Sequence, residues 1–217
     1  RQKFVGSASK FIIFGPSAVI GAYIMVTEPW FTRPHLFFEG FLQKGNISEL
    51  LKFYYKMCFG SYAYGSISLF FEARQKDFVL MIVHHVVTLL LIQLSYFRGF
   101  HRIGGVVLFL HDISDPFMEA AKMALYTGHN KVADILFGAF AVVFIITRNW
   151  IFPYYVIGSI PSTAVFPDGT RIPYTNECMY MLCILEVLHI YWAFLILKMA
   201  KAALVSKGVD DDVRNEE

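Results

Sequence analysis

The chain has 217 residues, of which 56% are hydrophobic and only 17% charged, and its mean hydropathy is +0.51. That balance lies outside the range of an ordinary soluble domain and suits a lipid solvent. A formal net charge of only +2, with basic residues scattered along the chain, excludes a nucleic-acid-binding stripe.

A membrane span takes roughly 20 apolar residues for a hydrocarbon core of about 30 Å. Six segments of that kind follow one another: 11–31, 50–71, 78–97, 103–126, 132–157 and 178–204. The expected fold is therefore an all-α integral membrane bundle or barrel of about six helices around a polar-lined cavity. Residues 1–204 form one domain and 205–217 an acidic tail. A start on Arg1 without a signal-peptide pattern reads as a segment of a longer chain.

An even number of spans puts both ends on one side. That side collects 11 Lys and Arg, among them Lys3, Lys10, Lys76, Lys122 and Lys201, against 7 opposite, which favours cytosolic termini. Turn signals at Pro161, Pro167-Asp168-Gly169 and Pro173 mark a loop before the last span. Cys58, Cys178 and Cys183 lack CxxC spacing and read as buried small hydrophobes.

Ionisable side chains at membrane depth are expensive, so each invites a functional explanation. The third segment, FVLMIVHHVVTLLLIQLSYF, carries His84 and His85. The fourth, RIGGVVLFLHDISDPFMEAAKMALY, carries His111, Asp112, Asp115, Glu119 and Lys122. Spacings of four, four and three put His111, Asp115, Glu119 and Lys122 on one helix face, with Asp112 joined to it through Asp115. The turn from Arg98 to Arg102 makes the two segments antiparallel neighbours. At about 1.5 Å of rise per residue, the histidine pair and Asp115 share a depth of roughly 18 to 20 Å from that turn, with His111 about 12 Å in.

These residue types suit acyl transfer. A neutral imidazole attacks a thioester, a carboxylate on its other nitrogen steadies the developing charge, and a second imidazole can take a proton from an amine or hydroxyl. Zinc or iron is the sharper rival, since His and Asp are good ligands. The HxxxH and HxxHH boxes of membrane di-iron enzymes need more histidines than are present, and no metal is expected. Arg148 and Asn149 in the fifth segment, and Glu186 with His189 in the sixth, read as interhelical hydrogen bonding more than as site residues. A proton-coupled transporter would need paired broken helices in matching halves, and none is visible.

The run HHVVTLLLIQLSYFRGFHRIGGVVLFLHDISDPFMEAAKMALY resembles the signature region of the ceramide synthases, the TLC-domain sphingoid-base N-acyltransferases. FAVVFIITRNWIFPYYVI, EPWF at residue 28 and KDF at residue 76 fit the same family. The resemblance implies transfer of a fatty acyl group from acyl-CoA, as cosubstrate, to the amine of a long-chain sphingoid base in the endoplasmic reticulum membrane, with no further cofactor. It implies His84 as acyl acceptor, Asp115 as its orienting carboxylate, and His85, His111 and Asp112 as support or proton acceptors. It points to the loop 158–177, with Phe166, Arg171 and Tyr174, for acyl-length selection. Its partners would be acyl-CoA, the base and membrane lipids, and a homo- or heterodimer or a small regulatory subunit would be compatible. A non-enzymatic lipid-sensing or lipid-moving TLC protein is the alternative, and the complete HH, HD and D set speaks against it. Pro116, directly after Asp115, departs from the pattern and should free a carbonyl near Asp112 and bend the helix.

Overall fold

A computed structural model describes residues 2–39, 41, 47–71 and 75–206. The acidic tail from residue 207 on lies outside the described residues, as do Arg1, Lys44, Arg74, Lys207 and Arg214 of the charge count. All regular elements among the described residues are helical, apart from an isolated bridge between Val165 and Arg171. They are α1 Gln2–Thr27, α2 Glu49–Ser68, α3 Phe78–Arg98, α4 His101–Asp112, α5 Asp115–Tyr126, α6 Asn130–Phe144, the short α7 Ile160–Thr163 and α8 Thr175–Ser206. α6 runs without interruption into a π-helical stretch, Ile145–Val156.

Each expected segment is helical, but not each is a plain membrane-spanning rod. Four helical stretches are long and apolar enough to cross a membrane by themselves: Gln2–Thr27, Phe78–Arg98, Asn130–Thr163 and Thr175–Ala203. The fourth expected span is broken between Asp112 and Asp115 into halves of 12 residues, about 18 Å each, so neither half crosses alone. α2 has the length but carries Glu49, Lys52 and Lys56.

Local chemistry sets the ends. Ser48 caps α2, its hydroxyl accepting from the Leu51 N–H. α3 stops at Gly99, which is left-handed at φ +88, and the Gly99 and Phe100 N–H groups both return to the Ser95 carbonyl. The reversal is tight enough that α4 starts at His101.

The helices close into a ring. α1 packs on α2, α2 on α3, α3 on α8, α8 on α6, α6 on α5, and α5 back on α1. α4 stands inside the ring, against α1, α2, α3 and the π-helical stretch. Burial follows that placement: Val106, Leu108, Leu110, His111 and Asp112 of α4 are all buried, whereas α5 buries only Glu119 and Ala121. Outward faces are apolar, as at Ile12, Val19, Val26, Ile135 and Val142, and meet the hydrocarbon.

The break in the fourth span is what makes room. α4 fills the centre of the barrel at the end near Gly99, and α5 then moves into the wall, leaving the centre open at the other end. Pro116 sits in the first turn of α5, where a missing N–H costs least. The expected bend is a full interruption, and Arg148 donates to the carbonyl of His111, which loses its helical partner there.

Candidate active site

A cavity of about 280 Å³ occupies the open end of the barrel. Its lining comes from the ring helices α1, α2, α3, α5, α6 and α8, and includes His84, His85, Asp115, Glu119, Arg148 and Trp192. Lys10 and Lys122 stand at the end where α1 and α3 begin and α5 finishes. A second, narrower cavity of about 50 Å³ runs the other way, along α3, α4 and α8. Its walls include Leu91, Ile92, Phe100, Ile103 and Leu182, and Tyr62 lines both cavities.

His84 lines the wide cavity beside Tyr62, which lines both, and is 7% exposed. Its ring stacks on His111 at 6.3 Å between centroids and 25° between planes, and meets Trp192 edge-to-face at 5.3 Å. Its Nδ1 has no hydrogen-bond partner among the described residues. His85, one residue on, turns toward α2. Its Nδ1–H donates to the Met81 carbonyl at 2.8 Å, so Nε2 is the acceptor nitrogen of the neutral ring. Gly65 leaves room for that nitrogen, since a Cβ there would stand 2.9 Å from it.

The two aspartates of HDISD part company. Asp112 is 1% exposed and faces α1 and α2, where its carboxylate accepts from Ser17, from Tyr54 at 3.3 Å, from Cys58 at 3.4 Å and from Tyr62 at 3.3 Å. Asp115 lines the wide cavity and accepts from Arg148 at 2.7 Å and from Ser114 at 3.1 Å. The guanidinium of Arg148 also donates to the Ser114 hydroxyl at 3.0 Å and lies over the Phe144 ring. The same Arg therefore holds the helix break and charges the carboxylate beside it.

His111 is 2% exposed. Its Nδ1–H donates to the Val107 carbonyl at 2.6 Å, and its Nε2 lies 2.9 Å from Nε2 of His189 on α8. Lys122 pairs with Glu119 at 3.1 Å, as their three-residue spacing allows.

Of the residues singled out from sequence, His84, His85 and Asp115 share the wide cavity, His111 meets His84 and borders the narrow one, and Asp112 lines neither. Asp115 is hydrogen-bonded to Arg148 and Ser114, not to His84. Sequence reasoning gave Arg148 and His189 too small a part. The partners through which each joins the site, Asp115 for Arg148 and His111 for His189, lie 33 and 78 residues away, so no spacing reveals them. Cys58 is more than a small hydrophobe, because its thiol joins the Asp112 cluster, and Cys183 is exposed.

The loop before α8 forms a tight reversal, with the Asp168 carboxylate accepting from the Thr170 N–H and hydroxyl and Arg171 bridged to Val165. Phe166 packs on Phe41, and Tyr174 lies under the Arg98 guanidinium at 4.1 Å. None of Phe166, Arg171 and Tyr174 lines either cavity; the flanking Ile160 and Thr175 line the narrow one.

Comparison with known proteins agrees with this arrangement. The TLC domain family model matches residues 3–198. Alternaria stem canker resistance protein 1 of Solanum lycopersicum is 38% identical over 99% of this chain and 74% of its own length. Ceramide synthase LOH2 of Arabidopsis thaliana is 35% identical, covering 89% of this chain and 67% of that protein. Ceramide synthase 5 of Homo sapiens is 32% identical over 99% of this chain and 54% of its own length. The chain is a multi-pass membrane protein that belongs to the TLC-domain family and, within it, to the ceramide synthases.

Proposed function

We propose that the chain transfers a fatty acyl group from acyl-CoA to the amine of a long-chain sphingoid base, in two half-reactions through an acyl group carried on His84. The carrying observation is that His84 lines a wide cavity with charged walls, while its ring neighbours His111 and Tyr62 border a narrow apolar one. CoA is highly charged and stays in water at the Lys10 and Lys122 end. Its pantetheine arm reaches down the wide cavity, and the acyl chain continues into the narrow one.

In the first half-reaction an imidazole nitrogen of His84 attacks the thioester carbon. The C–N bond forms, the C–S bond breaks, and CoA leaves as the thiolate. In the second, the amine attacks the acyl carbon, the bond to His84 breaks, and the amine gives up a proton. His85 suits that proton best. Its ring lines the wide cavity and its Nε2 is the acceptor nitrogen, whereas Asp112 lines neither cavity. Asp115, charged by Arg148, supplies negative potential beside the acyl-imidazolium.

Because both helix starts and the end of α8 lie at the mouth of the wide cavity, this reading puts the termini in the cytosol and the enzyme in the endoplasmic reticulum membrane. Acyl length is set where Phe100, Ile160 and Thr175 close the narrow cavity, with the loop carrying Phe166, Arg171 and Tyr174 holding Ile160 and Thr175 in place. A dimer or a small regulatory subunit would bind the outer faces and leave the cavity free.

The test is intact-protein mass after incubation with a fatty acyl-CoA alone. Wild type gains one acyl group and His84→Ala gains none. Wild type without an adduct, or His84→Ala with one, sinks the covalent reading.

A further inference from the structure

Hydrogen positions in the histidine chain follow from its partners. A carbonyl can only accept, so the 2.6 Å contact to Val107 places the proton of His111 on Nδ1 and leaves Nε2 as a lone pair. The facing Nε2 of His189, 2.9 Å away, must then carry the N–H. A neutral His189 protonated on Nε2 has its own lone pair on Nδ1. That atom lies 3.5 Å from Oε2 of Glu186, and both atoms are buried with no hydrogen-bond partner among the described residues. Two lone-pair atoms facing each other in hydrocarbon are repulsive and unsatisfied; one proton between them satisfies both.

That proton can sit on oxygen or on nitrogen. On His189 it would make a buried imidazolium close to the guanidinium of Arg148, which already donates to the His111 carbonyl. His189 is 0% exposed, and two cations there would repel across a medium of low dielectric. The neutral arrangement avoids both penalties.

We propose that Glu186 is a protonated carboxylic acid that donates to His189, and that the Glu186, His189, His111 chain is a positioning device for His84. The chain holds His111 in one tautomer and one ring orientation, and it is the face of that ring which stacks on His84. One turn along the same helix, Trp192 meets His84 edge-to-face and is held by donation from its Nε1–H to Asp77 at 3.1 Å. α8 therefore grips His84 from two sides without touching the reacting atoms.

The kinetic part of this proposal rests on His84 as the acyl acceptor; the spectroscopic part does not. Infrared spectra of the purified full chain in lipid nanodiscs should contain the C=O stretch of a protonated carboxylic acid that disappears in Glu186→Gln. His189→Leu should lower the rate of acyl-adduct formation by about 10- to 100-fold, the range seen when an outer-shell orienting partner is lost, with KM for acyl-CoA little changed. His189→Gln, whose amide N–H can donate to His111, should recover most of that loss. Glu186→Gln, which can still donate to Nδ1, should lose less than Glu186→Leu. A spectrum unchanged by Glu186→Gln, or His189→Leu acylating at the wild-type rate, overturns the proposal. If wild type itself forms no adduct, the failure is that of the acyl-His84 reading, and the infrared band still decides where the proton lies.

Discussion

The two halves of the fourth span carry the same kinds of residue to opposite ends. α4 ends in His111 and Asp112, both sealed in the centre of the barrel, where His111 bonds to Val107 of its own helix and to His189 of α8, and Asp112 to α1 and α2. α5 begins with Asp115 and goes on to Glu119 and Lys122, on the wall of an open cavity. Only two residues separate the aspartates, yet one ties α1, α2 and α4 together and the other lines the wide cavity. A buried carboxylate is informative only once its donors are known.

That contrast can be broken at four points. Arg148→Met should have the largest effect, because it leaves a largely buried Asp115 carboxylate without its counter-charge and the His111 carbonyl without its donor; a loss of about 3 to 5 kcal/mol is expected in unfolding of the detergent-solubilised protein. Asp115→Asn keeps an acceptor for Arg148 and removes the charge. Turnover should fall by about 10²-fold or more while stability falls little, as measured by ceramide formation beside thermal unfolding.

Asp112→Asn should do the reverse. Its cost is expected in stability, about 1 to 3 kcal/mol as donors lose a charged acceptor, with turnover per folded molecule within about tenfold of wild type. A folded, stable Asp112→Asn protein without activity would mean that Asp112 also serves the reaction. The smallest effect belongs to Pro116→Ala, less than about 1 kcal/mol, because the proline occupies a first helical turn. Spin labels at the start of α4 and the end of α5 should keep their separation in Pro116→Ala and change it in Arg148→Met. The opposite result would make the proline, and not the arginine, the cause of the break.

Much of this was legible in the chain. Hydropathy located the helical segments, four of them long and apolar enough to cross a membrane alone, and spacing along 115, 119 and 122 located one wall of the cavity, while His111 fell on the other side of the break. The depth count brought His84 and His85 toward Asp115. Hidden from it was the break, since rise per residue assumes one unbroken helix, and Pro116 announced a bend but not where each half would go. Hidden too were Arg148 and His189, whose meaning comes from helices far away in sequence. The loop residues Phe166, Arg171 and Tyr174 marked a region, while the cavity is closed by the flanking Ile160 and Thr175, whose types carry no signal of their own.

α8 is the last of the described helices to leave the ribosome, and it closes the ring between α3 and α6. It also brings His189 to His111, made 78 residues earlier, and Trp192 to His84, made more than a hundred residues earlier. Until it inserts, the polar interior built by the first five spans faces lipid through an open seam. Acyl transfer can therefore begin only when synthesis of the membrane domain is complete, and a ceramide assay on nascent chains of increasing length should stay silent until α8 has cleared the ribosomal tunnel.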